Sequence, residues 1–260
     1  MINKDQIRII NSEYWKSFGA QLIEFLELSV NIKILDVGTG SGACLIPASK
    51  KILPDGEIIG IDNWRDAIKR VKANLKAENI QNARIIKMDG SQMKFSDDSF
   101  DVVISGFVGY GSIFDFEKFK LKPNVKNSMI KEIYRVLKPG GRAGFSTWQE
   151  QEDLRIIKKI VGDDTIHPGY TTENQKGFRM LLEHAGFQNE NISTHTLEYH
   201  RFYDSIEEWA EQHHWLIKRF KLRPLHSYDH LFEPYFSEST GKFDFRKSVI
   251  YIITKKELRY

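Results

Sequence analysis

The 260 residues are enough to bury a large core, roughly 70–75% of the unfolded surface, as one elaborated domain or two small ones. Hydrophobic residues make up 41% and charged residues 28%, and a net charge of +3 is too small to announce nucleic acid or a membrane as partner. Cys44 is the single cysteine, which excludes an internal disulfide framework, a zinc knuckle and any two-cysteine redox pair.

Residues 1–13 have no apolar signal-peptide core, and no stretch approaches the roughly 20 apolar residues of a membrane span, so a cytoplasmic protein is expected. Residues 14–28 then place Trp15, Phe18, Leu22, Phe25 and Leu26 on one helical face. Residues 32–37 read as a strand ending in glycines, and 43–51 as the helix that follows. A Pro54-Asp55-Gly56 turn leads to a second strand at 57–61. Ala67, Ile68, Val71 and Leu75 mark an amphipathic helix over 64–79. Strands are expected at 83–87 and 100–105, a helix at 127–137, and a break at Lys138-Pro139-Gly140-Gly141. A fifth strand at 142–148 and a helix at 172–184 follow, the helix ending where Gly186 can take the left-handed position. Residues 192–203 and 248–254 read as the last two strands. Strands alternating with helices predict an α/β fold with a mainly parallel sheet covered on both faces.

The strongest local signal is Asp36-Val37-Gly38-Thr39-Gly40-Ser41-Gly42, glycines at a strand end that let a backbone approach a ligand. Gly38, Gly40 and Ala43 also satisfy the dinucleotide pattern, so the loop alone leaves NAD and S-adenosylmethionine both open. Asp36 tilts the choice. A carboxylate beside a bound pyrophosphate would repel it, whereas a sulfonium and an ammonium suit it, although Asp36 could instead cap the turn. Asp62 lies about 20 residues beyond the loop, where an acid accepts from ribose hydroxyls. Asn63 and Trp64 would then stand near the adenine, with Trp64 either stacked on it or in the core. Asp89 and Gly90 end the third strand, as an adenine contact or a helix cap. Ser105 ends the fourth, and Asp97 and Asp98 read as turn residues.

These pieces, together with Val136-Leu137-Lys138-Pro139-Gly140-Gly141-Arg142, stand in an order and spacing that resemble class I S-adenosylmethionine-dependent methyltransferases. The likeness is to the ubiquinone and menaquinone biosynthesis branch, of type 11, and covers roughly residues 30–150. It implies a Rossmann-like seven-stranded open sheet in the order 3-2-1-4-5-7-6, with strand seven antiparallel. It further implies that Gly38, Gly40 and Gly42, with Thr39 among them, line the methionine portion, that Asp62 holds ribose and that Asp89 holds adenine. Asn63 departs from the branch, which often has an aliphatic residue there. The chain also lacks the Asn/Asp-Pro-Pro-aromatic sequence of amino-methylating DNA enzymes, the Pro-Cys nucleophile of cytosine C5 enzymes and the several cysteines of arsenite methyltransferases.

A single domain over 1–260 is therefore expected, with a cofactor core at 30–150. An inserted segment at 204–242, rich in aromatics from Trp209 to Phe236, is expected to cover a small-molecule methyl acceptor. A helix merely packed on the sheet is the rival reading. Methyl transfer needs chiefly alignment of the acceptor with the sulfonium, and a base only where the acceptor must lose a proton. His213, His214, Tyr110, His167 and Tyr170 are the candidates, none with a sequence signature. No metal is expected, because adjacent histidines on a helix point apart and no paired carboxylate stands at ligand spacing. An NAD(P)-linked oxidoreductase and a non-catalytic S-adenosylmethionine-binding protein stay as alternatives.

Overall fold

The computed structural model describes residues 8–9, 14–122, 128–162, 173–222 and 225–258. In chain order the elements are β1 (Arg8–Ile9), α1 (Tyr14–Leu26), β2 (Lys33–Val37), α2 (Leu45–Lys51), β3 (Glu57–Asp62), α3 (Arg65–Ala77) and β4 (Ala83–Lys87). Next come β5 (Phe100–Gly106), a small hairpin of β6 (Phe114–Asp115) and β7 (Lys120–Leu121), α4 (Met129–Val136), β8 (Leu137–Gln151) and α5 (Glu152–Val161). The rest is α6 (Gln175–Ala185), β9 (Ser193–Tyr203), α7 (Ile206–Gln212), α8 (His214–Phe220), β10 (Phe236–Ser237) and β11 (Lys242–Lys255).

The chain divides into two compact units, and the division cuts β8, β9 and β11. In the larger (Glu13–Thr147, Glu173–His195 and Ile250–Tyr260) the strands lie in the order β4-β3-β2-β5-β8-β11-β9. Renumbered along the chain, that is the expected order, with one antiparallel strand, β11. The parallel centre is in tight register, Leu35 facing Ile59 on one side and Val103 on the other. Each of these three is buried, as Ile250 and Ile252 of β11 are, and α4 and α6 close the core with Ile130, Ile133, Phe178 and Leu182. α3 turns Ala67, Val71 and Leu75 inward at helical spacing and leaves its lysines outside. α6 is fixed at both ends: the Asn174 side chain accepts from Gly177 N at 2.8 Å, and Gly186 takes the left-handed position with φ 114°.

Several elements depart from the reading of the sequence, β8, β11 and α5 most clearly. β8 begins at Leu137 and runs straight through Lys138-Pro139-Gly140-Gly141, with a register shift against β5 between Phe100 and Val102. The strand survives because Gly140 N donates to Lys256 O and Lys256 N to Gly141 O, each at 2.9 Å. β11 starts at Lys242, six residues earlier than its β-branched run suggests. α5 stands where the sequence reading places no element, and its charges suit a helix, with Glu152 and Asp153 in the first turn and Lys158 and Lys159 in the last.

The smaller unit (Met1–Ser12, Trp148–Thr172 and Thr196–Val249) has its own core of Leu154, Ile157, Trp209, Leu216, Phe232 and Phe245. Residues 204–242 supply much of it. Inside lies a charged cluster in which Lys247 Nζ stands 2.6 Å from Asp153 Oδ2, with the Tyr203 hydroxyl donating to the same oxygen at 3.1 Å. Burial raises the Asp153 carboxyl, but the Lys247 charge and the His213 hydrogen bond and charge together outweigh it and hold the group well below the usual carboxylate range.

Candidate cofactor site

β2 ends at a loop whose backbone is pinned to the next strand. Gly38 N and Thr39 N both donate to Ile61 O, at 2.9 and 3.0 Å, and Gly40 N donates to Asp62 Oδ2 at 3.0 Å. Gly38 sits at φ 72°, and a Cβ there would stand 2.6 Å from Val108 Cγ2, so a side chain would be both strained and blocked. α1 crosses just as closely: a Cβ on Gly19 would meet Ala43 O at 2.0 Å. The first helix is thereby laid against the loop.

Two cavities meet at Gly38. One, of about 300 Å³, is edged by Asp62, Asn63, Asp89, Gly90 and Ser91 and reaches Val108, Tyr110 and Ile113. The other, of about 480 Å³, runs along the loop from Gly38 to Ser41 and is walled by Trp15, Gly106 and Phe107. Phe107 holds a left-handed backbone, φ 53°, costly for a bulky residue, and its ring packs edge-on to Trp15 at 5.2 Å.

The carboxylates differ in what they do. Asp62 Oδ1 accepts from Trp64 N at 2.9 Å, so this acid braces both the loop and the start of α3 from the cavity edge. Asp89 Oδ1 accepts from Ser91 N and Ser91 Oγ, each at 2.8 Å. Asp36 is buried, accepts from Thr39 Oγ1 at 2.6 Å and lines neither of the two cavities. Burial pushes its carboxyl up to about 7, the Thr39 hydroxyl drawing it down and the Asp62 charge raising it further. The loop-capping role left open for Asp36 is the one its geometry displays.

Tyr110 reaches the first cavity, but its hydroxyl shares a 2.7 Å hydrogen bond with Ser105, and burial pushes the phenol up. It is not poised as a base. Ser105 is fully buried and lines neither cavity, and Trp64 is 71% exposed and lines neither. Gly42 faces a separate groove with Ala20 and Asn74. In the smaller unit His213 Nδ1 contacts Trp209 O at 2.7 Å and its Nε2 stands 3.4 Å from Asp153, whereas His214 is exposed. Trp209 and Phe232, expected to face an acceptor, are core residues of that unit. His167, Tyr170 and the side chain of Trp215 lie outside the described residues. Among the described residues no three His, Cys, Asp or Glu side chains gather as a metal site.

Glu173 escaped the sequence analysis. Its buried carboxylate accepts from Tyr110 N, from Gly111 N at 3.0 Å and from Thr147 Oγ1 at 2.8 Å, clamping the loop after β5. Burial raises its carboxyl pKa, against the pull of those three donors. Nothing local marks it: an isolated acid just ahead of a helix cap finds its partners 62 and 63 residues upstream.

A family model described as a methyltransferase domain matches residues 28–213. The demethylmenaquinone methyltransferase of Staphylococcus carnosus is 32% identical over 142 residues, 54% of this chain and 54% of that protein. Its counterpart in Lactobacillus johnsonii is 32% identical over 176 residues, 60% of this chain and 67% of that one. The chain thus spans about half the length of the first and two thirds of the second. A Bacillus halodurans crystal structure described as a methyltransferase superposes with a TM-score of 0.61 over 93% of this chain and 99% of that one; at 23% identity this shows the fold alone. The family match takes in the pinned loop, both carboxylate turns and the strands that carry them, and the chain belongs to the methyltransferase domain family, among the class I S-adenosylmethionine-dependent methyltransferases.

Proposed function

We propose that this protein works in the cytoplasm and moves the methyl group of S-adenosylmethionine to a small aromatic acceptor of the kind a demethylated quinone presents in its reduced form. The observation that carries this reading is the pair of cavities joined at Gly38, one edged by acids and the other walled by aromatic rings. The adenosine occupies the first, with Asp62 toward the ribose hydroxyls, Asp89 toward the adenine amino group, and Asn63 and Gly90 beside the base. The methionyl group follows Gly38, Thr39 and Gly40 into the second. Trp15 and Phe107 offer an apolar wall for a ring, and the demethylmenaquinone methyltransferases are relatives by name. In the transfer the acceptor atom bonds to the methyl carbon as the carbon–sulfur bond breaks. Its electron pair stays on sulfur, S-adenosylhomocysteine leaves, and the acceptor proton passes to solvent. The protein contributes alignment.

Methyl-labelled S-adenosylmethionine should label a short-tailed demethylated naphthoquinol. Label found only in nucleic acid or protein, with none in any small aromatic acceptor, would refute the acceptor class.

Asp36 supplies a second expected result. A cation docked beside Gly38 favours the ionised carboxylate over the acid that burial holds at about 7. Binding of S-adenosylmethionine below that pH therefore releases a proton. Affinity rises with pH and levels off above about 7. Calorimetry at pH 6 in two buffers of different ionisation heat reads the proton directly. Identical heats in both buffers would exclude Asp36 as its source.

A further inference from the structure

We infer that Arg70 is the anchor for the carboxylate of the cofactor's methionyl group, an inference that rests on the S-adenosylmethionine reading above. Arg70 lies on α3, one helical turn before Asn74, so both side chains leave the same strip of the helix. Asn74 fixes where that strip faces: its Nδ2 donates to Ser41 O at 2.9 Å, within the glycine loop. Arg70 accordingly reaches the larger cavity, which runs from Gly38 along Gly40 and Ser41 to the Trp15 and Phe107 rings. Among the described residues it is the only charged side chain that lines this cavity, and no carboxylate does. The smaller cavity has the opposite character, with Asp62 and Asp89 at its edge and no cation.

A zwitterionic ligand reads that polarity. The adenosine end carries hydroxyls and an exocyclic amine, all donors, and suits the acids. The methionyl end carries a carboxylate, which requires a donor of positive charge once the site closes over it. The guanidinium of Arg70 makes no hydrogen bond or ion pair with any described residue, whereas Lys69 beside it stands 3.6 Å from Asp66. Arg70 is thus a cation held over the glycine loop with its planar fork uncommitted, a geometry that matches a carboxylate.

The test compares ligands that differ by the carboxylate alone: S-adenosylhomocysteine and its decarboxylated analogue, each titrated calorimetrically into the wild type, Arg70→Met and Arg70→Lys. The wild type should prefer S-adenosylhomocysteine by about 10- to 100-fold, the span of a charge-assisted pair. Arg70→Met should lose that preference, weakening S-adenosylhomocysteine while leaving the analogue unchanged, and Arg70→Lys should keep part of it. Arg70 is exposed, so the variants should melt like the wild type. If Arg70→Met binds S-adenosylhomocysteine within twofold of wild type, or weakens both ligands equally, the inference is overturned and the cofactor reading stands. A wild type that binds neither ligand overturns both.

Discussion

Lys256→Met should destabilise the larger unit by about 2–4 kcal/mol, the cost of orphaning a buried network. Lys256 follows directly on β11 and is only 2% exposed. Its ammonium donates to Leu137 O at 2.6 Å, to Tyr134 O at 2.8 Å and to Asp98 Oδ1 at 2.7 Å, and sits 4.8 Å from the centre of the Tyr134 ring. Two of those acceptors are carbonyls at the end of α4, where a cation meets the negative pole of the helix. Methionine matches the length of the stem and the packing, so what is lost is the charge and its donors. Asp98 is partly open to water and recovers some hydration, which keeps the figure below that of a wholly enclosed pair. Urea unfolding reads the change, provided the slope of the transition stays the same. Asp98→Asn alone should cost less than half as much, because the carbonyls keep their partner. A Lys256→Met midpoint within about 0.5 kcal/mol of wild type would mean that water replaces the ammonium without loss.

That network also explains what was legible in the sequence. The β2–loop–β3 segment could be read because each part of its signal is local: β-branched strands, glycines at the turn, an acid at the next strand end. Residues 138–141 could not, since whether Pro-Gly-Gly breaks a strand or continues it is decided by Lys256, more than a hundred residues away. The same limit hid Glu173, whose backbone partners lie in the loop after β5. Asp36 and Asp62 look alike in the sequence, both acids at strand ends beside glycines. Only burial separates them, Asp36 turned in toward Thr39 and Asp62 left at the cavity edge. Trp64 shows the converse. A tryptophan at a helix start reads as stacked on a ligand or core, and burial removes the core reading: Trp64 precedes α3 as its N-cap and faces solvent, whereas the buried stripe of the helix begins at Ala67.

Asp62→Ala should weaken S-adenosylhomocysteine binding by about 2–4 kcal/mol, roughly 30- to 1,000-fold, the value of charge-assisted hydrogen bonds to two ribose hydroxyls. Asp89→Ala should cost about 1–2 kcal/mol, since it loses one contact to a neutral amine. Two effects contribute at Asp62 and must be told apart. Its carboxylate also ties Gly40 N and Trp64 N, so removing it loosens the loop as well as the ribose contact. A cycle on the ligand separates them: S-adenosylhomocysteine and its 2′-deoxy analogue are titrated into wild type and variant. If Asp62 holds the ribose, the wild type should bind the deoxy ligand about tenfold more weakly and the variant should bind both alike. If Asp62 only braces the loop, the variant should weaken both ligands by the same factor and keep the wild-type preference. Binding of S-adenosylhomocysteine by Asp62→Ala at wild-type strength would remove the smaller cavity as the adenosine subsite.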